Sequence, residues 1–267
     1  MKRSYLFVPG DRPERYAKAL SAGADAVIID LEDAVAPTAK DDARAALRAW
    51  LTPEQAVLVR VNSADTAWFA NDTELAGLPG VAGIVLPKAE RPEDIARLMQ
   101  QGARAVLPLV ESALGFHHAL ELARQPGVER LLFGSIDFSV DLGLTEGAEE
   151  LQYFRSQLVL VSRLAGILPP VDGVTTTLDD IDRITDDTRR ARRYGFGGKL
   201  CIHPRQVAQV NNAFAPSAEE AAWAARVLQA VENTDGAAVA LDGKMVDRPV
   251  ILQAQAIMAE VRRRAGP

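Results

Sequence analysis

The sequence has 267 residues, of which 48% are hydrophobic and 25% charged, a composition that excludes disordered and fibrous proteins. A net charge of −6 excludes a general attraction to nucleic acid or to anionic membranes. A single cysteine excludes an internal disulfide, and with a start that lacks a long apolar stretch it predicts a cytoplasmic protein.

Short runs rich in Val, Ile and Leu alternate along the chain with longer amphipathic stretches, which predicts strand–helix units around a parallel sheet. The predicted strands are 4–8, 26–31, 56–61, 82–86, 105–110, 130–133, 170–174 and 199–202. The predicted helices are 14–22, 40–51, 68–76, 91–101, 112–124, 149–165, 178–194 and 204–213. This strict alternation predicts an α/β fold, a (β/α)8 TIM barrel.

A doubly wound open sheet is the alternative for such a pattern. Its dinucleotide-binding form has a glycine fingerprint directly after the first strand, where this chain has PGDRP (9–13). A second glycine-rich segment, GFGGK (195–199), precedes a strand, and no Ser or Thr follows its lysine. We therefore interpret it as a helix cap and turn rather than a phosphate loop.

The residues after position 213 do not continue the repeat. Their predicted elements are a helix at 217–233 that opens with a capping-box-like SAEE, a hairpin of strands 237–240 and 244–246 around Asp242 and Gly243, and a helix at 250–264. The predicted domains are thus a catalytic barrel, 1–213, and a helix–hairpin–helix extension, 214–267. Because the hairpin presents apolar residues at its tip, we expect the extension to pack on another surface.

Ionisable residues follow most of the predicted strands, at the C-terminal end where TIM barrels carry their active sites. They are Asp30, Glu32 and Asp33 after the second strand, Arg60 after the third, Lys88 after the fourth, Glu111 after the fifth, Asp137 after the sixth and His203 after the eighth. Unpaired charges at the end of a core are costly. The set therefore implies ion pairs, a metal or a charged substrate.

Glu111 and Asp137 follow adjacent predicted strands, so their carboxylates are expected to converge. Two carboxylates, completed by water and substrate oxygens, are a ligand set typical of Mg²⁺. The pair predicts a magnesium site, with Mn²⁺ as the alternative ion; otherwise each residue caps a helix or pairs with a cation. The adjacent His117 and His118 point in different directions on a helix and are poor joint ligands.

Two cationic residues have two interpretations each. Arg60 either holds a substrate carboxylate bidentately or forms a structural pair with Glu32 or Asp33. Lys88 is compatible with a Schiff-base aldolase, which needs a lysine desolvated in an apolar pocket. Because several charges are expected nearby, Lys88 is predicted to stay cationic and to bind an anion.

Eight short motifs carry a resemblance to a known family. They are YLFVPGDRPER (5–15), IDLEDAV (29–35), VRVN (59–62), LPKAE (86–90), VES (110–112), GSID (134–137), CIHP (201–204) and MVD (245–247). With these motifs the chain resembles the citrate lyase beta subunit-like family, within the HpcH/HpaI aldolase superfamily that includes malyl-CoA and citramalyl-CoA lyases.

The resemblance implies a Mg²⁺-dependent carbon–carbon lyase. Its substrate would be a 3-hydroxyacyl-CoA such as citramalyl-CoA or malyl-CoA, and its products acetyl-CoA and a 2-keto acid, pyruvate or glyoxylate. By the same resemblance, Glu111 and Asp137 bind Mg²⁺ and substrate, and Arg60 grips the substrate carboxylate. Glu32 and Asp33 would orient metal-bound water or Arg60.

The resemblance also implies roles at the rim and in the extension. Pro9, Gly10 and Arg12, with Lys88 nearby, are similar to the residues along which the CoA phosphates and pantetheine run. Asp247 is similar to an aspartate that enters the active site of a neighbouring subunit as acid and base. A homotrimer, or a multiple of one, is therefore expected, with the extension packed on a neighbouring subunit.

The chain departs from that family at Ile136, where citrate lyase beta subunits often carry an acidic residue. The apolar side chain favours malyl- or citramalyl-type substrates over citryl thioesters. The alternatives are a citrate lyase beta subunit that acts on an acyl-carrier-protein thioester and a CoA-independent class II hydroxy-acid aldolase. A non-catalytic accessory protein is least favoured, because such a protein does not need ionisable residues at the ends of so many strands.

Overall fold

The computed structural model describes residues 2–145, 149–232 and 239–265. Eight parallel strands close into a barrel in chain order, which confirms the predicted TIM-barrel fold. They are β1 (Ser4–Pro9), β2 (Ala26–Asp30), β3 (Val57–Arg60), β4 (Val81–Leu86), β5 (Val106–Val110), β6 (Leu132–Phe133), β7 (Val171–Asp172) and β8 (Gly198–Cys201). Pairing of β1 with β8 closes the barrel.

Helices follow the strands. They are α1 (Tyr16–Leu20), α2 (Lys40–Trp50), α3 (Phe69–Thr73), α4 (Pro92–Gln100), α5 (Ala113–His117), α6 (Ala119–Ala123), α7 (Ser135–Asp141), α8 (Gln152–Ala165), α9 (Ile181–Tyr194) and α10 (Pro204–Ala213), with 3-10 turns at Pro13–Arg15 and Pro37–Ala39. In α4 the buried Ile95 and Leu98 are three residues apart, as expected of an amphipathic helix. No helix in the described ranges is long and apolar enough to cross a bilayer.

Apolar side chains from all eight strands fill the barrel. Its buried core consists of Tyr5, Ala26, Ile28, Leu58, Val85, Leu107, Leu109, Leu132, Val171 and Leu200. Each is flanked along its strand by residues that point outward, because successive side chains on a strand alternate between its two faces. The interior is therefore a packed core rather than a channel.

A polar network closes the N-terminal end of the barrel. Arg130, which is fully buried, donates to the carbonyl oxygens of Lys2, at 3.0 Å, and Pro169, at 2.8 Å, and to the Tyr5 hydroxyl at 2.8 Å. Lys2 and Pro169 precede β1 and β7, so one guanidinium joins residues far apart in the sequence. Burial of this charge is compensated by hydrogen bonds.

The helices after β5 and β6 differ from the prediction. The single helix predicted at 112–124 is wrong: α5 and α6 break at His118, whose Nδ1 lies 2.8 Å from the Glu90 carbonyl oxygen. Helix α7 was not predicted, and it places Asp137 in its first turn instead of at a strand end. With only two residues, β6 is too short for hydrophobic periodicity to mark where it stops.

The glycine-rich segment at 195–199 joins α9 to β8. Gly195 adopts the left-handed conformation, with φ of 98°, and caps α9. Its position before a strand confirms the interpretation as a helix cap and turn.

Contacts divide the chain into two units, Met1–Asn211 and Asn212–Pro267. The second unit contains α11 (Ala218–Val231), a hairpin of β9 (Val239–Leu241) and β10 (Lys244–Val246), and α12 (Arg248–Ala265). Ser217 and Glu220 form a capping box at the start of α11. The second unit has a small core of its own, which includes Ala224, Val227, Val246 and Ala254.

The hairpin turn has the predicted chemistry. Asp242 and Gly243 both have positive φ, 51° and 73°, as a type I′ turn requires. Three predicted element residues, Asn233, Ala237 and Ala238, lie outside the described residues. Packing of this extension on a second subunit stays a prediction.

Candidate active site

A cavity of about 370 Å³ opens at the C-terminal ends of the barrel strands, opposite Arg130. Its apolar lining includes Phe7, Leu109, Phe133, Val174 and Leu200. Its ionisable lining consists of Asp30, Asp33, Arg60, Glu111 and Asp137. The strand-end charges thus surround an apolar floor, a common arrangement for small-molecule sites.

Arg60, the last residue of β3, is held on three sides. Its Nε and Nη2 donate to the two carboxylate oxygens of Asp30, at 2.7 Å and 2.6 Å, and the Phe7 ring centroid lies 4.8 Å from its guanidinium carbon. Its Nη1 lies 3.0 Å from Glu32 and 3.4 Å from Asp33. The structural pairing is therefore present, with Asp30 as an additional and bidentate partner. Asp30 takes two of the guanidinium N–H groups, and Arg60 lines the cavity, where its other N–H groups can meet a substrate.

Asp30 also shapes the loop that follows β2. Its carboxylate oxygens accept from the backbone N–H groups of Glu32, at 2.9 Å, and Ala34, at 3.2 Å, as in an Asx turn. Because Asp30 faces Arg60 in the β2–β3 register, its buried carboxylate fixes the positions of both the Arg60 guanidinium and the loop after β2. That loop brings the Glu32 carboxylate to Nη1 of Arg60.

Glu111 is buried directly after β5. Its Oε1 accepts the backbone N–H of Lys88 at 2.7 Å. A Cβ added at Gly134 would lie 2.4 Å from its Oε2, so only glycine allows this close approach. Burial, together with the nearby charges of Glu32 and Asp137, raises the pKa of Glu111 to about 8.

Glu32 lies in a similar environment. Burial, followed by the charges of Asp33 and Asp30, raises its pKa to about 7, although Arg60 works in the opposite direction. Its Oε2 is buried and accepts no hydrogen bond, despite the ion pair with Arg60. Negative charge is therefore in excess here, and a cation would relieve it.

The ligand set fits magnesium. Glu111, after β5, and Asp137, in α7, line the same cavity. Within 2–145, 149–232 and 239–265 there is no metal-binding group of three or more His, Cys, Asp or Glu residues. An ion here would take two protein carboxylates and complete its shell with water or substrate oxygens, as Mg²⁺ commonly does.

A second cavity, of about 360 Å³, adjoins the first and shares Phe7, Pro9 and Ile202 with it. Its cationic lining comes from Arg15 and Lys18, and His203 also lines it. Neither Arg15 nor Lys18 was a predicted site residue. The sequence signal that could have identified them is their spacing: they are two cations three residues apart in the predicted helix after the first strand, which places them on one helical face.

Other predicted site residues lie at the rim. The side chains of Arg12 and Lys88 are exposed and line neither cavity. Lys88 contributes its backbone N–H to Glu111 and has a positive φ of 43°. Gly10 donates its N–H to the Asp30 carbonyl oxygen at 2.7 Å, so the loop after β1 is tied to β2.

Two further candidates have backbone partners. His203 Nδ1 accepts the N–H of Arg205 at 3.2 Å, which matches a histidine bonded to backbone. Asp247, in the second unit, precedes α12, and its Oδ1 accepts the N–H of Val250 at 3.4 Å. Asp247 thus has the geometry of a helix N-cap.

Comparison with known proteins gives concordant matches. The family model "HpcH/HpaI aldolase/citrate lyase" matches residues 3–204. A citrate lyase subunit beta-like protein of Mycobacterium tuberculosis is 39% identical over 270 residues, covering 98% of this chain and 95% of the relative. A (3S)-malyl-CoA thioesterase of Cereibacter sphaeroides is 33% identical over 273 residues, covering 97% and 94%.

The solved structures include CitE of M. tuberculosis in complex with magnesium, acetoacetate and coenzyme A. It superposes with a TM-score of 0.86 at 39% identity, and the match covers 100% of this chain and 98% of that one. The similarity therefore extends over both units of the chain.

Proposed function

Because the chain belongs to the HpcH/HpaI aldolase/citrate lyase family and is a lyase, we propose that it cleaves or forms 3-hydroxyacyl-CoA thioesters with Mg²⁺. The substrate class is citramalyl-CoA or malyl-CoA, and the products are acetyl-CoA and a 2-keto acid. The observation that carries this proposal is the Glu111–Asp137 carboxylate pair in one cavity with Arg60. The magnesium, acetoacetate and coenzyme A bound to the M. tuberculosis relative support it.

Glu111 and Asp137 would hold the metal ion. Mg²⁺ supplies positive charge that polarises the substrate oxygens and lowers the pKa of the hydroxyl group. The donor set fits this role. The charges of the neighbouring carboxylates raise the pKa of Glu111, and a bound cation would favour the ionised form that binds a metal.

Arg60 binds the carboxylate of the keto-acid portion. Since Asp30 and Phe7 already fix the guanidinium, little orientational freedom is lost when substrate binds. In the cleavage direction a general base takes the proton of the substrate hydroxyl, that oxygen forms the carbonyl of the keto acid, and the carbon–carbon bond breaks. The bonding electrons then form a thioester enolate.

Protonation of that enolate gives acetyl-CoA, and we assign this proton to Asp247 of a second copy of the chain. In the condensation direction the same carboxylate removes the methyl proton. This assignment requires an oligomer, with a homotrimer as the expected form.

The second cavity is assigned to the CoA moiety. Arg15 and Lys18 provide positive charge for its phosphates. Pro9 and Ile202, shared by both cavities, provide an apolar passage for pantetheine. Exposed Arg12 and Lys88 would extend the positive charge outside the cavities.

The cavity lining favours a substrate with one carboxylate. Arg60 is the only lysine or arginine among the described residues that line it. Ile136, which is 47% exposed, also lines it and offers no charge. A citryl group has an additional carboxylate without a partner here, which favours malyl- or citramalyl-type thioesters.

The test is to incubate the purified protein with Mg²⁺, acetyl-CoA and one of glyoxylate, pyruvate or oxaloacetate. New thioesters are identified by mass, with an EDTA-treated sample as control. We expect a Mg²⁺-dependent product with pyruvate or glyoxylate. A product from oxaloacetate alone would contradict the proposed substrate class. Turnover that requires an acyl-carrier-protein thioester, or that needs no thioester, would contradict the assignment of CoA. Release of free CoA from a hydroxyacyl-CoA would indicate hydrolysis, the activity named for the C. sphaeroides relative.

Stabilisation by Mg²⁺ is expected to increase with pH. Without metal, the folded pKa values of Glu111 and Glu32, about 8 and about 7, exceed the ordinary value of 4.5, so the folded state binds more protons than the unfolded state. Metal-free stability therefore falls as pH rises through about 5 to 8. Mg²⁺ binds the ionised form, so the rise in Tm caused by Mg²⁺ should be larger at about pH 8 than at about pH 6.

Calorimetry in buffers of different ionisation enthalpy should show uptake of Mg²⁺ with release of about one proton near neutral pH. Glu111→Gln serves as the control, because a variant without this carboxylate should show neither the Mg²⁺ uptake nor the proton release. A Mg²⁺-induced shift in Tm that is equal at both pH values would contradict the prediction.

A further inference from the structure

Lys40 is a buried lysine close to the active site but outside both cavities. It begins α2 and is only 6% exposed. Its Nζ donates to the carbonyl oxygens of Leu31, at 2.8 Å, and Glu32, at 2.6 Å. The ring centroid of Trp68 lies 5.3 Å from the same nitrogen. An ammonium group is costly to bury, and here its hydrogen bonds go to a loop backbone.

The backbone of Glu32 is held from two directions. Its N–H donates to Asp30 Oδ1 at 2.9 Å. Its carbonyl oxygen accepts from Lys40 and, at 3.0 Å, from the N–H of Val35. With both flanking peptide groups fixed, only side-chain rotation remains to move the Glu32 carboxylate.

The position of that carboxylate matters for Arg60. Nε and Nη2 of Arg60 are occupied by Asp30, and Glu32 lies 3.0 Å from the remaining Nη1. A shift of the loop would change the distance between this carboxylate and Nη1, and with it the charge that the substrate carboxylate meets. Displacements of about 1 Å remote from the reacting atoms can reduce turnover by about 10²-fold.

We propose that Lys40 is a positioning residue, which fixes the backbone of Glu32 so that its carboxylate stays beside Nη1 of Arg60, the side chain proposed to bind the substrate carboxylate. The inference rests on the proposed role of Arg60 and extends it to a side chain that lines neither cavity. A nucleophilic role does not fit, because Nζ is already engaged by two carbonyl groups away from both cavities.

The test compares Lys40→Met, Lys40→Arg and Leu47→Ala. Leu47 is fully buried on the same helix, so its truncation destabilises the packing of α2 and serves as the matched control. Lyase kinetics and amide hydrogen exchange of residues 31–35 are measured for each variant.

Lys40→Met is expected to lower kcat by about 10- to 100-fold, while KM for the thioester stays within about threefold because CoA is bound elsewhere. Exchange at 31–35 should accelerate relative to the barrel strands. Lys40→Arg should restore most of kcat, since a guanidinium can donate to the same carbonyl groups. Leu47→Ala should keep wild-type kcat despite its lower Tm.

Wild-type kcat and unchanged exchange in Lys40→Met would overturn the proposal. An equal loss of kcat in Leu47→Ala would also overturn it, because general destabilisation would then explain the effect. A wild-type protein inactive on every thioester would refute the proposed function instead. In that event the exchange measurement still decides whether Lys40 holds the loop.

Discussion

Replacing Glu111 with glutamine is expected to lower Mg²⁺-dependent turnover by at least about 10³-fold, since a bound metal contributes several kcal/mol of charge stabilisation. The amide oxygen can still accept the Lys88 N–H that Oε1 accepts in the wild type. The loss therefore reports the missing negative ligand rather than a disturbed loop. Turnover and Mg²⁺ affinity are measured by mass-detected assay and by calorimetry.

The same substitution should raise metal-free stability at pH 8 and above. It removes a buried carboxylate whose pKa is about 8 because burial disfavours its charged form. A variant that is more stable yet inactive separates loss of the ligand from loss of the fold. Glu90→Gln is the matched control, because Glu90 accepts from Ser112 at 2.6 Å and does not line the cavity. Unchanged Mg²⁺ affinity in Glu111→Gln would refute the ligand assignment.

Asp247→Asn is expected to reduce turnover by about 10²- to 10⁴-fold, the usual contribution of a positioned acid or base. Asparagine caps helices about as well as aspartate, so the bond to the Val250 N–H is retained. Mg²⁺ binding should be unchanged, because the proposed ligands lie in the barrel. Asp242→Asn is the control: it alters an exposed carboxylate of the same hairpin, and asparagine tolerates its positive φ of 51°.

Mixed oligomers test whether Asp247 acts on a second copy. In a head-to-tail ring built randomly from Asp247→Asn and Glu111→Gln chains, about a quarter of the sites combine an intact barrel with an intact neighbouring aspartate. Co-expression should therefore restore activity that neither variant has alone. A mixture as inactive as its components would show that Asp247 does not act between copies, and full turnover by Asp247→Asn would remove it from the reaction.

The sequence was most informative where hydrophobic pattern and topology coincide. Alternation of apolar strands with amphipathic helices predicted the barrel, because each strand must bury one face inside and the other under a helix. It also predicted that Glu111 and Asp137 approach one another. Its error at Asp137 was local: a two-residue β6 followed at once by α7 leaves too few residues for a periodic signal.

The partners of buried charges were harder to predict. The structural interpretation of Arg60 named Glu32 or Asp33 as its partner, and both lie beside it. It missed the bidentate partner, Asp30, which the β2–β3 register places opposite Arg60. Register depends on pairing between strands and is not encoded locally. Lys40 gave no signal at all, because a lysine in the first turn of an amphipathic helix is usually solvated.

Arg130 and the active-site cavity lie at opposite ends of one barrel, and this separation bears on how such a protein can diverge. Substitutions at cavity-lining positions such as Ile136 or Val174 can change the substrate site without touching the hydrogen bonds that close the other end. Substrate specificity can therefore change during evolution while the residues that stabilise the barrel stay the same. Loss of Arg130, in contrast, would remove the hydrogen bonds that close that end of the barrel in every specificity variant.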